Sequence, residues 1–279
     1  MCSQDGALDI AKARRIFQAT RSLLYADIPA IDLKDRVSVF TVAAGIRSIG
    51  VLETWGQWLP RLRDAMITHG LFTSVGTAVW SAIERPLDCP HRNVLLSLDA
   101  KRVAGKPKHV LWVYTSKQQR DQYRQVELKQ QRAGAILGYP PCCIEFESSI
   151  MARLPEAQLQ KLIAEVGGEE AKLMAALRRT KEISVERLPL PDNALRTEQK
   201  MPFVLHVACN SCLDDTQSPS AKLNTQYGDL VREIDSGLYS LMLKIQENYC
   251  GIVKGKANNQ ILFSQMRTLH AKFLSGEQP

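Results

Sequence analysis

The stretch 137-LGYPPCCIEF-146 marks the point where one helix has to end and another has to begin. Gly138 suits the left-handed residue that often closes a helix. Two prolines then form a stiff turn, and Pro141 suits the first turn of a new helix, where no backbone donor is needed. The pattern predicts that Cys142 and Cys143 lie at this helix start, where free backbone N–H groups and the positive end of the helix dipole favour thiolates.

Turn residues bound two short apolar runs, residues 93–98 and His109–Tyr114, which predict a pair of β-strands. Elsewhere apolar residues recur at steps of three and four, which is typical of helices that pack against a core. We therefore expect the α+β class, a mostly helical fold with a small β element in which helices dominate both lobes. The predicted helices, besides the one that starts at Pro141, cover residues 9–24, 32–49, 58–68, 74–83, 117–137, 155–180 with a break at Gly167, 219–245 and 261–274.

The chain divides by pattern into three parts, although all of them can form one compact domain. A helical N-terminal part covers residues 1–92. The strand pair, the long helix and the LGYPPCC stretch cover 93–190, and a second cysteine segment with the C-terminal helices covers 191–279. Residues 184–202 contain three prolines and are interpreted as a connector, because proline cannot donate a backbone hydrogen bond.

The composition is that of a globular protein: 279 residues, of which 45% are hydrophobic and 23% are charged. The net charge of +7 suits an anionic small-molecule substrate, an acidic partner or nucleic acid, and equally a basic surface without a partner. Nucleic acid has the weaker support, because only 6% of the residues are aromatic and they do not alternate with Lys and Arg. No apolar run of membrane-spanning length and no secretory signal are present, so we expect no membrane association and a cytoplasmic location.

The chain contains seven cysteines, and four of them form two short motifs. Cys142 and Cys143 are adjacent, while Cys209 and Cys212 form a C-x-x-C, whose side chains converge across a tight turn. His206 stands three residues before that motif. Four thiolates, or three thiolates and an imidazole, complete a tetrahedral zinc site or hold an iron–sulfur cluster. All five residues are therefore candidate metal ligands.

The ligand count favours an iron–sulfur cluster of the 4Fe-4S type, with zinc as the alternative. Side chains of consecutive residues diverge, so we expect only one of Cys142 and Cys143 to bind together with Cys209 and Cys212. Three thiolates leave one iron open to act as a Lewis acid, or to bind a sulfide or a substrate oxygen. The prediction is an iron–sulfur-dependent enzyme of small-molecule metabolism with non-redox or sulfur-handling chemistry, of the lyase or sulfur transferase type.

Three other interpretations of the cysteines stay open. A zinc ion held by the same thiolates would stabilise a module that binds nucleic acid or protein. A metal-free thiol enzyme would use one cysteine with a depressed pKa. The cysteines can also be small buried side chains that only pack.

Three residues near the cysteines are candidates for proton transfer. His206 titrates near neutral pH and can serve in this way if it is not a ligand. Glu145 can act as a general base, although a glutamate in a first helical turn usually complements the helix dipole. Tyr139 is a candidate proton donor, with packing as its alternative role. Cys89 and His91 are candidates for an additional ligand from the N-terminal part.

The two cysteine segments together resemble a family of uncharacterised prokaryotic proteins, a domain of unknown function. Its members share an LGYP motif that runs into paired cysteines and a later segment of the HxxCxxC type. The resemblance covers residues 110–215 and implies a shared site but no known reaction. The positions that carry it are Gly138, Tyr139, Pro140, Cys142, Cys143, His206, Cys209 and Cys212.

Overall fold

A computed structural model describes most of the chain, with gaps at both ends and between several elements. In the described part, α-helices accompany one three-stranded antiparallel sheet, which confirms the prediction of a mostly helical α+β fold. None of the described helices is long and apolar enough to cross a membrane. The described residues are 8–24, 33–77, 85–104, 109–127, 133–179, 192–253, 268–269, 271–273 and 275–276.

Helices form at most of the positions that the sequence predicts. The helix predicted from residue 219 is interrupted at Asp235, which is extended and whose Oδ1 accepts the Leu238 N–H (2.7 Å) at the next helix start. The described helices are α1 (Ile10–Thr20, followed by the 3₁₀ turn Arg21–Leu24), α2 (Leu33–Ala43), α3 (Leu59–Thr68), α4 (Arg92–Ala104), α5 (Lys117–Glu127), α6 (Ala133–Ile136), α7 (Pro141–Val166), α8 (Glu170–Arg179), α9 (Asp192–Lys200), α10 (Asn210–Asp214), α11 (Pro219–Ile234) and α12 (Ser236–Val253).

The sheet contains β1 (Ile49–Thr54), β2 (Phe72–Thr77) and β3 (His109–Tyr114), in the order β1-β3-β2. The central strand β3 pairs antiparallel with both of its neighbours. This central position accounts for the continuous apolar run in β3, because a strand with both neighbours in place is largely shielded from water.

The strand predicted at residues 93–98 is wrong, because these residues belong to helix α4. Val94, Leu95 and Leu98 are spaced as one helix face, and all three are buried in an apolar cluster. A short apolar run fits a strand or a buried helix equally well in sequence, and packing decides between them. The other predicted strand is β3, and its partners are β1 and β2 instead of residues 93–98.

The helix predicted over residues 32–49 is too long, since α2 ends before Gly45 and is followed by β1. Gly45 has φ of +81°, the left-handed conformation that closes a helix. The helix predicted over 74–83 is wrong where it is described, because its first residues belong to β2. Residues 78–84 lie outside the described part. So do most of the helix predicted over 261–274 and the middle of the long helix predicted over 117–137.

The largest apolar core joins the N-terminal and C-terminal helices. It contains side chains from α1, α2, α3, β1, β3, α11 and α12, and Ile16, Phe40, Leu111 and Leu230 in it are at most 2% exposed. Helices of the first and third predicted parts therefore pack in one core. The division of the chain into three parts stays a prediction.

Helix α2 covers the outer edge of β1. Ser38 Oγ accepts the Val51 N–H (2.9 Å), and Asp35 Oδ2 accepts the Glu53 N–H (2.8 Å). These bonds satisfy donors that an edge strand otherwise presents to solvent. Gly50 allows the close approach, because a Cβ atom there would stand 2.8 Å from the Ser38 carbonyl oxygen.

Candidate metal centre

Helix α6 ends at the turn that precedes the paired cysteines. The Gly138 N–H donates to the Ala135 carbonyl (3.1 Å), and the Tyr139 N–H donates to the Gly134 carbonyl (2.9 Å). With φ of +73° at Gly138, these two bonds form a Schellman motif. The helix end predicted at Gly138 is confirmed.

The two prolines place both neighbouring thiols in the first turn of α7. Pro140 is the N-cap, and its carbonyl accepts the N–H groups of Cys143 (2.9 Å) and Ile144 (3.1 Å). Pro141 is the first helical residue, as predicted. Cys142 is exposed, whereas Cys143 is fully buried.

The second pair of thiols lies on the short helix α10. Cys209 is its N-cap, and the Leu213 N–H donates to the Cys209 carbonyl (3.0 Å). Cys212 lies within the helix, and both thiol-bearing residues are buried. The single helical turn directs the two side chains toward the start of α7.

Helix α9 holds this second segment in place, so the connector predicted over residues 184–202 is wrong for Asp192–Lys200. All three prolines of the stretch lie outside α9, which leaves its backbone donors intact. Asn193 Nδ2 donates to the Ala208 carbonyl (3.2 Å), and the Ala208 N–H donates to Thr197 Oγ1 (2.9 Å). The helix thereby fixes the backbone next to Cys209.

The four thiols converge into one compact group, which we call the four-thiol cluster: Cys142, Cys143, Cys209 and Cys212. Cys142 Sγ lies 4.0 Å from Cys143 Sγ and 3.8 Å from Cys212 Sγ, and Cys143 Sγ lies 3.8 Å from Cys209 Sγ. All four sulfurs lie within 4.8 Å of one another, so the cluster could hold a metal ion. Both adjacent cysteines reach this group, since Cys142 meets Cys212 and Cys143 meets Cys209. The expectation that only one of them binds a metal stays a prediction.

Hydroxyl and amide groups surround the inner thiols. Ser220 Oγ, in the first turn of α11, lies 3.3 Å from Cys143 Sγ, which also accepts the Cys209 N–H (3.4 Å). Ser211 Oγ lies 3.1 Å from Cys209 Sγ. Hydrogen bonds of this kind stabilise the thiolate form and orient metal ligands.

Burial and hydrogen bonds act on the pKa values of the thiols in opposite directions. Burial raises the pKa of the Cys142 and Cys143 thiols. Burial also acts to raise the pKa of Cys209, but hydrogen bonds from Ser211 Oγ and the Cys212 backbone outweigh it and lower that pKa to about 7. Four thiolates at these distances repel one another, and a bound cation is what allows all of them to ionise together.

His206 lies beside the four-thiol cluster and is linked to it through the hydroxyl group of Ser220. Its Nε2 is 2.9 Å from Ser220 Oγ, and its ring packs against the Tyr139 ring with centroids 4.9 Å apart. Burial and the nearby cations Lys34 and Arg47 lower the pKa of His206 to about 4, so the ring is neutral at neutral pH. The geometry puts His206 in the layer around the thiols, and its role as a ligand or proton carrier stays a prediction.

The other candidates for proton transfer differ in their surroundings. Burial raises the pKa of Tyr139 to about 12, so its hydroxyl is protonated at neutral pH. Glu145 is exposed on α7. Glu147, two residues further along, is half-buried, and burial raises its pKa although it accepts a hydrogen bond from the Val207 N–H. Glu147 therefore contacts the segment that carries His206. The catalytic roles of Tyr139 and Glu145 stay predictions.

Cys89 lies apart from the four-thiol cluster. It packs against the apolar cluster that contains Leu159 and Leu173, and its thiol donates to the Pro90 carbonyl (3.7 Å). Among the described residues, the group that could hold a metal includes neither Cys89 nor His91.

Ser220 is a member of the site that the sequence did not indicate. The Ser218-Pro219 pair predicts a helix start there, and Ser218 does accept the Ala221 N–H as the N-cap of α11. The contact between Ser220 and Cys143 depends on tertiary packing. A single serine in a sequence gives no signal for such a contact.

Comparison with known proteins gives no match from which a function could be inferred, so the functional proposal rests on the geometry of the four-thiol cluster. No protein-family model, no curated protein and no solved structure matches the chain. The resemblance of the two cysteine segments to an uncharacterised prokaryotic family stays a prediction.

Proposed function

We propose that the chain is a zinc-stabilised binding protein in which the four-thiol cluster holds one tetrahedral zinc ion. The observation that carries this proposal is the spacing of the sulfurs. A zinc–sulfur bond of about 2.3 Å in a tetrahedron gives a sulfur–sulfur edge of about 3.8 Å. Three sulfur pairs of the cluster lie at 3.8 to 4.0 Å, and the widest separation stays within 4.8 Å.

The same spacing gives less support to the iron–sulfur enzyme that the ligand count favours. In a 4Fe-4S cluster each thiolate binds a different iron, so the sulfurs of the ligands must stand farther apart than those around a single ion. A cubane would need all the thiols to move outward, and Cys143, Cys209 and Cys212 are buried against neighbouring side chains. A single ion needs little such movement.

Four thiolates close the coordination sphere of the ion. Structural zinc sites are closed in this way, whereas catalytic zinc keeps a position open for water or substrate. The zinc ion would therefore join the start of α7 to α10, segments that are distant in sequence, and contribute free energy of folding. Ligand binding would take place outside the metal, on the surfaces that this junction holds together.

Metal analysis of protein purified without air tests the proposal. We expect one zinc ion per chain, no acid-labile sulfide and no visible absorption. Replacement of zinc by Co²⁺ should give the intense absorption of a tetrahedral thiolate complex. About four irons and four sulfides per chain would contradict the proposal and favour the cluster enzyme.

Matched cysteine variants identify the ligands. Cys212→Ala should lose the metal, whereas Cys89→Ala, which removes a thiol outside the cluster, should retain it. Retention of zinc by Cys212→Ala would contradict the four-thiolate site. A chain that holds no metal, and in which one cysteine alkylates rapidly with or without a chelator, would favour the metal-free thiol enzyme.

A further inference from the structure

Arg47 is a buried cation near the four-thiol cluster that takes no part in it. It lies in the short connection between α2 and β1, and only 7% of its surface is exposed. Within the described residues, Nε, Nη1 and Nη2 of its guanidinium all lack a hydrogen-bond partner. Buried charges in proteins are normally paired and hydrogen-bonded, because an unpaired one is strongly destabilising.

A chain of aromatic and polar contacts leads from Arg47 to the four-thiol cluster. The guanidinium carbon lies 5.6 Å from the centre of the Tyr139 ring. Tyr139 packs on His206, and Ser220 links His206 to the cluster through contacts of 2.9 Å and 3.3 Å. Burial raises the pKa of Tyr227, and the charge of Arg47 acts in the opposite direction. The aromatic hydroxyls and the neutral imidazole are groups that can donate hydrogen bonds without adding charge.

The carboxylates in this region already have partners. Asp35 accepts the Glu53 N–H at 2.8 Å, and Glu147 accepts the Val207 N–H. The nearby cation Lys34 is paired with Glu198. Arg47 is therefore a buried cation whose guanidinium N–H groups form no hydrogen bond with the described residues.

We propose that Arg47 binds a small oxyanion, the carboxylate or phosphate group of a small-molecule ligand. The planar fork of five N–H donors matches two oxygens of one such group, and the Tyr139 ring beside the guanidinium adds no competing charge. The ligand would then lie next to the metal centre without binding the metal. This site does not depend on which metal the thiols hold.

Calorimetric titration of the full chain tests the site with two probes, inorganic phosphate and acetate, at constant ionic strength. We expect saturable binding of at least one probe. Arg47→Gln should weaken it by about tenfold or more, the effect of losing hydrogen bonds to a charged group. Arg63→Gln is the matched control, since Arg63 is an exposed arginine on α3, and it should bind like the unaltered protein. Binding of phosphate alone or of acetate alone identifies the chemical class of the ligand.

Stability without ligand provides the second readout. Arg47→Met removes a buried unpaired charge, so its free energy of unfolding without added anion should equal or exceed that of the unaltered protein. Marked destabilisation by Arg47→Met would indicate a structural role and contradict the site. Failure of both probes to bind, or equal weakening by Arg63→Gln, would also overturn it. Zinc content measured on the same samples reports on the metal centre separately.

Discussion

Ser220 connects the four-thiol cluster to its polar surroundings through one hydroxyl group. Its Oγ lies between Cys143 Sγ and His206 Nε2, and the residue is completely buried. At this position the hydroxyl can donate to a thiolate while the imidazole fixes its direction. Groups that orient metal ligands in this way affect metal affinity although they do not touch the ion.

Ser220→Ala should weaken zinc binding by about 10- to 100-fold, the usual effect of losing a partner of a metal ligand. The variant leaves all four thiols in place, so the stoichiometry should stay at one zinc per chain. Competition with a chromophoric chelator measures the affinity. Ser240→Ala is the control, because Ser240 is an exposed serine on α12 whose hydroxyl donates to the Ser236 carbonyl. Equal affinities of the two variants would show that the Ser220 hydroxyl does not support the site.

At the scale of the elements, the packing of α2 on β1 positions Arg47, which lies in the connection between them. Gly50 makes this packing possible, since a Cβ there would stand 2.8 Å from both the Ser38 carbonyl oxygen and Val42 Cγ2. Real Cβ atoms do not approach a backbone oxygen this closely, so a larger residue must push helix and strand apart.

Gly50→Ala should lower the free energy of unfolding by about 1–3 kcal/mol, the range for overpacking a core. Gly76→Ala is the matched control in the same sheet, because its added Cβ would meet only the Trp112 side chain, at 3.6 Å or more. Chemical denaturation of both variants measures the difference. A loss in Gly76→Ala as large as that in Gly50→Ala would contradict the packing argument.

The elements show where prediction from sequence succeeds. Gly138 and Pro141 carry strong local preferences, so the helix end and the helix start between them were predicted and are confirmed. The strands β1 and β2 were not predicted. Each of them has an interior glycine, Gly50 or Gly76, which weakens the strand signal, and pairing with β3 completes their structure.

At the scale of the whole molecule, the sequence predicted which thiols are candidates for one site but not the distances between their sulfur atoms. The motif spacing brought Cys142, Cys143, Cys209 and Cys212 together as candidates, and the structure places all four in one group. The tight sulfur spacing depends on α9 and α11, which hold α10 against α7. Arg47 lacked any signal, because a single arginine in a connection is usually a solvated surface residue.

The proposed zinc ion would join segments that are far apart in sequence, so its removal should destabilise the whole molecule. Stabilisation by a bound ligand grows with its excess over Kd and reaches on the order of 4 kcal/mol at a thousandfold excess. We expect a chelator to lower the midpoint of thermal unfolding of the full chain by several degrees, and added zinc to restore it.

Hydrogen exchange locates this loss. The amides of Cys143 and Ile144, bonded to the Pro140 carbonyl, and the amide of Leu213 should lose protection on chelation. The amides of β3, held in the centre of the sheet, should keep their protection.

Acidification should release the ion and produce the same local pattern of exchange, because zinc binding requires deprotonated thiols and burial raises the pKa of the Cys143 thiol. Unchanged protection around α7 and α10 after complete metal removal would show that packing alone holds the junction.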